Sequence, residues 1–401
     1  MAAPVLTFVG VLNSSDPMQK ISSAAFSDTK PHYELLDGLR GVAALVVIWY
    51  HIFEGFATSP IDQRFNHGYL AVDFFFILSG FVVGYAYDDR WKKKTMGTGN
   101  FFKRRLIRLH PMVVLGAVLG LITFLLQGSQ KWDGASVGLS LVLLAFLLNL
   151  FLIPAYPGAA HEVRGNGEMY PLNGPNWSLF FEYIGNILYA LCLRRLSTKA
   201  LGTLVVVAAV ALTGFAVGNL SGFGHLGVGW TLAGHNFLGG FLRLIFAFSA
   251  GLFLSRIFKP AHIRGAFWIC SLAVIVLLSM PYVGDAETPW VNGLYDAVCV
   301  VLVFPALVYL GASGRASDSS TSGVCKFLGD VSYPVYVVHY PFMYLFYAWL
   351  WSGGGMGLSF SQCWAVPVGL FLGSILLAYL CLKLYDEPLR RYLARRYLHG
   401  K

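Results

Sequence analysis

Eleven apolar runs, at approximately 40–57, 70–87, 109–126, 137–155, 177–193, 200–217, 236–256, 266–282, 293–311, 334–351 and 365–384, constrain this chain more than any other feature. Each approaches the roughly 17–25 residues that a helix needs to cross the hydrocarbon core of a bilayer. Lipid offers the backbone no hydrogen-bond partners, so such runs must satisfy their own N–H and C=O groups. The expected fold is therefore all-α, a polytopic transmembrane helix bundle. Composition agrees, because 56% of the 401 residues are hydrophobic and only 12% are charged, a balance that excludes a water-soluble domain of this size. The formal charge of +9 lies in short clusters beside apolar runs. That placement points to membrane orientation, with lipids as surroundings and no nucleic-acid partner. The six cysteines are scattered without a C-x-x-C pair, so neither disulfides nor a metal site is expected.

Basic residues then orient the runs. The segment Arg90 to Arg108 and the tail with Arg390, Arg391, Arg395 and Arg396 are cytoplasmic by the positive-inside rule. The loops Gly218–His235, Val283–Asn292 and Ser352–Gln362 contain no lysine or arginine and fall on the opposite side. This alternation makes the loop 156–176 external and leaves two runs, 109–126 and 137–155, where an odd number of crossings is required. One of them is expected to re-enter or to lie buried without spanning, leaving about ten crossings with both termini cytoplasmic. Residues 1–32 read as a flexible cytoplasmic tail, 33–391 as the transmembrane domain and 392–401 as a basic cytoplasmic tail. Every loop is short, so the chemistry takes place in or at the membrane.

Five constellations carry candidate chemistry. Within Asp37-Gly38-Leu39-Arg40-Gly41 to His51, Arg40 and His51 are separated by an offset that returns to within about 20° on a helix and climbs roughly 16 Å. An arginine at one surface and a histidine about halfway through share one stripe, and an imidazole there suits a general base on a hydroxyl. Glu54, one turn on, either orients that ring or is an interfacial carboxylate. In Gly68–Phe81, Asp73 either sits at headgroup depth or contributes to substrate binding, and Ser79-Gly80 permits close helix approach. In Phe101–Pro111, Arg105 and Arg108 are three apart on one face, a fork suited to a polyphosphorylated ligand, and no phosphate-binding glycine loop accompanies it. In Asn173–Glu182, Ser178 and Glu182 share a face, and Trp177 with the Asn-Gly-Pro-Asn turn forms a carbohydrate-facing rim. In Gly329–Pro341, Ser332, Tyr336 and His339 fall on one helical stripe. Arg243 and Asp296 are further intramembrane ionisable groups with unassigned partners, while His161, His225 and His235 are read as solvated or rim residues.

Taken in order, these motifs resemble the acyltransferase-3 family of integral membrane acyltransferases over roughly residues 33–391. The arginine, ten-residue, histidine pattern of Arg40 and His51 is the most specific element. It is followed by Phe74-Phe75-Phe76-Ile77-Leu78-Ser79-Gly80-Phe81, Arg105-Leu106-Ile107-Arg108-Leu109-His110-Pro111, Trp177-Ser178-Leu179 with Glu182, and Ser332-Tyr333 with Tyr336 and His339. Ala71 stands where such proteins often have glycine, and His110 fills a variable slot. The resemblance implies transfer of an acyl group, usually acetyl, from cytoplasmic acyl-coenzyme A to a hydroxyl of an extracytoplasmic or membrane-associated carbohydrate acceptor. Arg40 and His51 are then essential, and the setting is a bacterial inner membrane. It also implies a stand-alone enzyme without a hydrolase-like partner domain in the same chain.

On that reading Arg105, Arg108 and Arg40 hold the coenzyme A phosphates, and the thioester arrives near His51, the general base. Glu182 joins Arg40 and His51 as a catalytic group, while Trp177, Ser178, Tyr336, His339 and Asp73 bind substrate. A covalent acyl-histidine is a variant. The competing reading is a proton-coupled transporter or flippase of a lipid-linked glycan or small metabolite, in which the same ionisable groups carry protons or substrate.

Overall fold

A computed structural model describes residues 32–155, 162–316 and 318–398. Residues 1–31 of the expected N-terminal tail and His161 lie outside the described residues. Eleven principal helices follow in order: α1 (Glu34–Phe56), α2 (Ala71–Lys92, entered through a 3-10 turn at His67–Leu70), α3 (Thr98–Leu126), α4 (Leu139–Leu150), α5 (Asn176–Leu191), α6 (Thr198–Val217), α7 (Gly234–Ile257), α8 (Ala266–Ser279), α9 (Pro289–Ser313), α10 (Ser319–Ser352) and α11 (Ala365–Tyr397). Among the described residues there is no strand, only isolated bridges between loops. Seven of the helices, α1, α2, α3, α6, α7, α9 and α11, are long and apolar enough to cross a membrane, so the protein is an all-α polytopic bundle.

Helix length separates the two runs in 109–155. α3 has 29 residues, whereas α4 has 12. At ~1.5 Å per residue α4 measures about 18 Å, well short of a ~30 Å hydrocarbon core. Its buried Asn149 accepts a hydrogen bond at 2.7 Å from Asn176, so this short helix is pinned to the start of α5. At the other end of the chain, α11 passes the expected boundary at 391 and continues to Tyr397. Arg390 with Asp386 and Arg391 with Glu387 form i,i+4 pairs there that support another turn.

Two parallel helix pairs form the centre. α1 lies along α10, and the approach is close because Gly41 has no side chain: a Cβ there would sit 2.3 Å from the carbonyl oxygen of Leu328. α2 lies along α7 in the same manner. A Cβ at Gly80 would be 2.0 Å from the Phe248 carbonyl oxygen, and one at Gly251 would be 1.9 Å from that of Ile77. Van der Waals packing between backbones replaces the hydrophobic driving force that lipid does not provide. On the periphery, Leu372, Leu376, Leu380 and Leu384 of α11 form an exposed apolar stripe at i,i+4 spacing, as a lipid-facing surface requires.

The loops around Trp132, Met169 and Trp230 are knit to one another. Met169 donates its N–H to the Trp230 carbonyl at 2.9 Å, Ala155 donates to Met169 at 2.8 Å, and Trp132 donates to Arg164 at 3.3 Å. Together they cap one end of the α1–α10 pair.

Candidate active site

The predicted stripe on α1 faces the predicted stripe on α10. Arg40 donates from Nε to Ser332 Oγ at 3.0 Å and from Nη2 to Asp37 at 2.6 Å. Eleven residues on from Arg40 and seven on from Ser332, the His51 and His339 rings lie 5.6 Å apart. Beyond them, Trp351 Nε1 donates to the Gly55 carbonyl at 2.8 Å. Glycine 41 makes this possible, because only a close crossing lets Arg40 reach a residue as short as serine.

His51 donates Nδ1–H to Glu54 Oε2 at 2.7 Å. The Tyr347 hydroxyl lies 3.0 Å from the same carboxylate oxygen and 2.7 Å from the His51 carbonyl oxygen. With Nδ1 committed to a carboxylate, the lone pair is on Nε2, which has no protein partner among the described residues. The ring lines a cavity of about 420 Å³ and is held on edge by Tyr340 and Tyr50 at 4.7 and 4.8 Å. Of the two readings open for Glu54, the structure selects the one that orients the histidine. A base with one nitrogen oriented and the other facing a cavity can take a proton from a bound hydroxyl.

The cavity's outer wall comes from the knitted loops. Trp177, Gly174 and Pro175 line it, as expected of a rim. Their turn is anchored from beneath: Pro341 has no N–H to give the Val337 carbonyl, and Asn173 Nδ2 donates to that carbonyl at 3.0 Å instead. Ser178 Oγ and the Tyr336 hydroxyl, both singled out in the sequence, are 2.6 Å apart, and Tyr336 also lines the cavity. His339 is buried beside His51; its Nδ1 is 2.9 Å from the Val335 carbonyl and its Nε2 is unpartnered. Among the described residues no three His, Cys, Asp or Glu side chains converge as a metal site would require.

Other candidates are placed elsewhere. Glu182 does not line the cavity. Arg105 Nη2 donates to it at 2.9 Å and Ser79 Oγ at 3.0 Å, with the arginine side chain only 7% exposed. The Arg105–Arg108 fork at the cytoplasmic surface is accordingly absent: Arg105 is drawn inward because a carboxylate at membrane depth needs a counter-charge. Arg108 alone remains half-buried toward that end, close enough to His32, Asp37 and Asp386 to act on each electrostatically. Asp73 is fully buried against Arg243 at 2.7 Å, and Arg243 also donates to the Val228 and Tyr69 carbonyls. This pair ties α2 and α7 to the loop 218–233 and sits outside the cavity lining. Asp296 accepts from the Tyr69 hydroxyl and the Leu226 N–H at 3.0 and 2.8 Å, and is 3.5 Å from His67.

An acyltransferase domain model matches residues 33–383, nearly the whole chain. The chain belongs to the acyltransferase-3 family. It is 26% identical over 390 residues to the acyltransferase MdmB of Streptomyces mycarofaciens, covering 90% of this chain and 92% of that protein. It is 26% identical over 360 residues to the exopolysaccharide production protein ExoZ of Rhizobium meliloti, covering 86% and 96%. It is also 35% identical over 189 residues to protein 2 in the picA locus of Rhizobium radiobacter, covering 44% of this chain and 91% of that one. No solved structure matches the chain. The protein is thus an integral membrane acyltransferase.

Several cavity residues of this acyltransferase carried no signal in the sequence. Asn166 and Glu168 come from the loop before Trp177, and Phe223 and Trp230 from the glycine-rich loop. Glu168 accepts from Asn166 Nδ2 at 2.6 Å and from the Tyr344 hydroxyl. Burial pushes its carboxyl above the ordinary value, and the Tyr344 hydroxyl, Arg164 and Asn166 oppose that. His225, expected as a rim residue, lines the cavity, and its Nδ1 accepts the Gly227 N–H at 2.9 Å, which fixes a neutral ring; burial holds it down at about 4. His235, expected in the same loop, is exposed near the start of α7. Periodicity does not reach such residues, because loop pairing brings them in.

Proposed function

We propose that this acyltransferase moves an acyl group, most often acetyl, from cytoplasmic acyl-coenzyme A to a hydroxyl of an extracytoplasmic or membrane-associated carbohydrate. The observation that carries the reading is the His51–Glu54 dyad, one ring nitrogen held by a carboxylate and the other open to an aromatic-lined cavity. His51 Nε2 takes the acceptor's hydroxyl proton as the oxygen attacks the thioester carbonyl. The carbon–sulfur bond then breaks, and the leaving thiolate takes the proton back from the imidazolium, which Glu54 stabilises meanwhile. Arg108 and Arg40 face the coenzyme phosphates, while Arg105 acts as a positioning residue through Glu182. Trp177, Ser178, Tyr336 and His339 shape the acceptor side. The exopolysaccharide production protein among the relatives supports a surface-glycan acceptor.

The proposed topology has ten crossings, α1 to α3 and α5 to α11, with both termini cytoplasmic in a bacterial inner membrane. The parallel course of α1 and α10 supports it, since ten alternating crossings with α4 left out carry the two helices through in the same direction.

Purified protein in nanodiscs, given acetyl-coenzyme A and surface glycan, is expected to release free thiol and acetylated glycan. His51→Ala should remove both without loss of membrane-inserted protein. Normal product from that variant, or glycan movement with no thiol release in the native protein, overturns the proposal and favours a transporter.

A further inference from the structure

The cavity that contains His51 has a second carboxylate, and its surroundings are specific. Glu168 is held by backbone as well as side chain: it bridges Thr231, and the adjacent Met169 N–H is bonded to Trp230. A carboxylate has about four acceptor positions. Asn166 and Tyr344 occupy two of them. The remainder are available to donors inside the cavity, which Glu168 lines. Around it are broad apolar ring faces from Trp132, Trp177, Trp230 and Trp351. Ring faces beside a hydrogen-bond acceptor suit a sugar, with C–H groups on one side and hydroxyls on the edge.

The charge of the lining is one-sided. Apart from tyrosines, its ionisable residues are His51, Glu54, Glu168 and His225, and no lysine or arginine is among them. The two nearest buried guanidiniums stand behind rings: Arg164 against Tyr344 at 3.8 Å and Arg243 against Trp177 at 5.2 Å. Arg243 is committed to Asp73, and Arg164 donates to the Pro171 carbonyl at 2.8 Å and to Gln127. An acceptor in this cavity therefore meets carboxylates and neutral donors, with no cation at the surface.

We propose that Glu168 is the acceptor-recognition residue of this site, and that it makes the cavity take sugars that are uncharged or amine-bearing and turn away those bearing a carboxylate. The proposal rests on the acyl-transfer reading for its use, but acceptor binding can be measured apart from the reaction. A like charge brought against a buried carboxylate is rejected by about a hundredfold in affinity.

The test titrates the full chain in nanodiscs with methyl glucoside, methyl glucosaminide and methyl glucuronide at pH 7, reading tryptophan fluorescence, because four tryptophans line the cavity. The first two should bind, and the glucuronide about a hundredfold more weakly. Glu168→Gln, checked for an unchanged elution profile, should bring the three within about threefold. Asn166→Lys, at an exposed position bonded to Glu168, should tighten glucuronide at least about tenfold and serves if the first variant fails to fold. Equal binding of glucuronide by the native protein, no binding of any of the three, or an unchanged order in both variants overturns the proposal. Thiol release from acetyl-coenzyme A, compared with His51→Ala, is scored separately. Charge-ordered binding without thiol release would remove the acyl-transfer reading and leave the recognition site standing.

Discussion

Glu54 receives the Nδ1–H of His51 across 2.7 Å from three residues further along α1, so the base and its orienting carboxylate are built into one helix. Glu54→Gln can present its N–H to the ring and stabilise the wrong tautomer, with the proton on Nε2. By analogy with other histidine–carboxylate pairs, kcat should fall by about 10²- to 10⁴-fold with little change in KM for acyl-coenzyme A. Tyr347→Phe, which removes only a hydroxyl from the same oxygen, should cost less. Steady-state thiol release measures both, and a Glu54→Gln enzyme with native kcat would show that the dyad is not the base.

The two arginines of the α3 motif should separate cleanly by experiment. Glu182→Ala leaves the Arg105 guanidinium buried without its carboxylate, and breaking such a pair destabilises by about 3–5 kcal/mol. Arg108→Ala removes no ion pair among the described residues and should leave thermal stability unchanged while raising KM for acyl-coenzyme A about tenfold or more. Thermal unfolding in detergent and a coenzyme titration read the two effects. Equal loss of stability in both variants would show that Arg108 is structural as well.

Much of this arrangement can be read from the chain because it lies on helices. Arg40 with Ser332 and His51 near His339 follow from two stripes of ordinary helical period, and Trp177 and Tyr336 reach the cavity from the ends and faces expected of them. Parity calls for one run in 109–155 that does not cross, and α4, with 12 residues, is the shorter of the two helices there. Glu182 illustrates the limit: its depth is readable, but whether it faces acceptor or arginine depends on which helix lies opposite. Glu168 and Trp230 escape altogether, since two loops about sixty residues apart are joined by backbone bonds such as Met169 to Trp230.

The crossing of α2 and α7 should be intolerant of even a methyl group. Gly251→Ala places a Cβ 1.9 Å from the Ile77 carbonyl oxygen, and the contact is with backbone rather than a movable side chain. The helices must part, which loosens the buried Asp73–Arg243 pair nearer the start of the same two helices. A loss of about 1–3 kcal/mol is expected, with lower yield of monodisperse protein, whereas Gly214→Ala on α6, where nothing lies within 4 Å, should be neutral. Comparable yields and unfolding midpoints for both variants would contradict the close packing.

His225 should make stability depend on pH in the mildly acidic range. Folded, its ring is held neutral, with a value lowered from 6.5 to about 4 by burial, and Nδ1 already accepts the Gly227 N–H. Between these values the unfolded chain binds a proton that the folded one does not. The contribution is therefore complete above pH 6.5 and is lost progressively as the pH falls toward about 4. His225→Asn keeps a side-chain acceptor without a titrating ring and should flatten the unfolding midpoint between pH 4.5 and 6.5 by comparison with the native protein. The same acid slope in both proteins would place its origin in other groups.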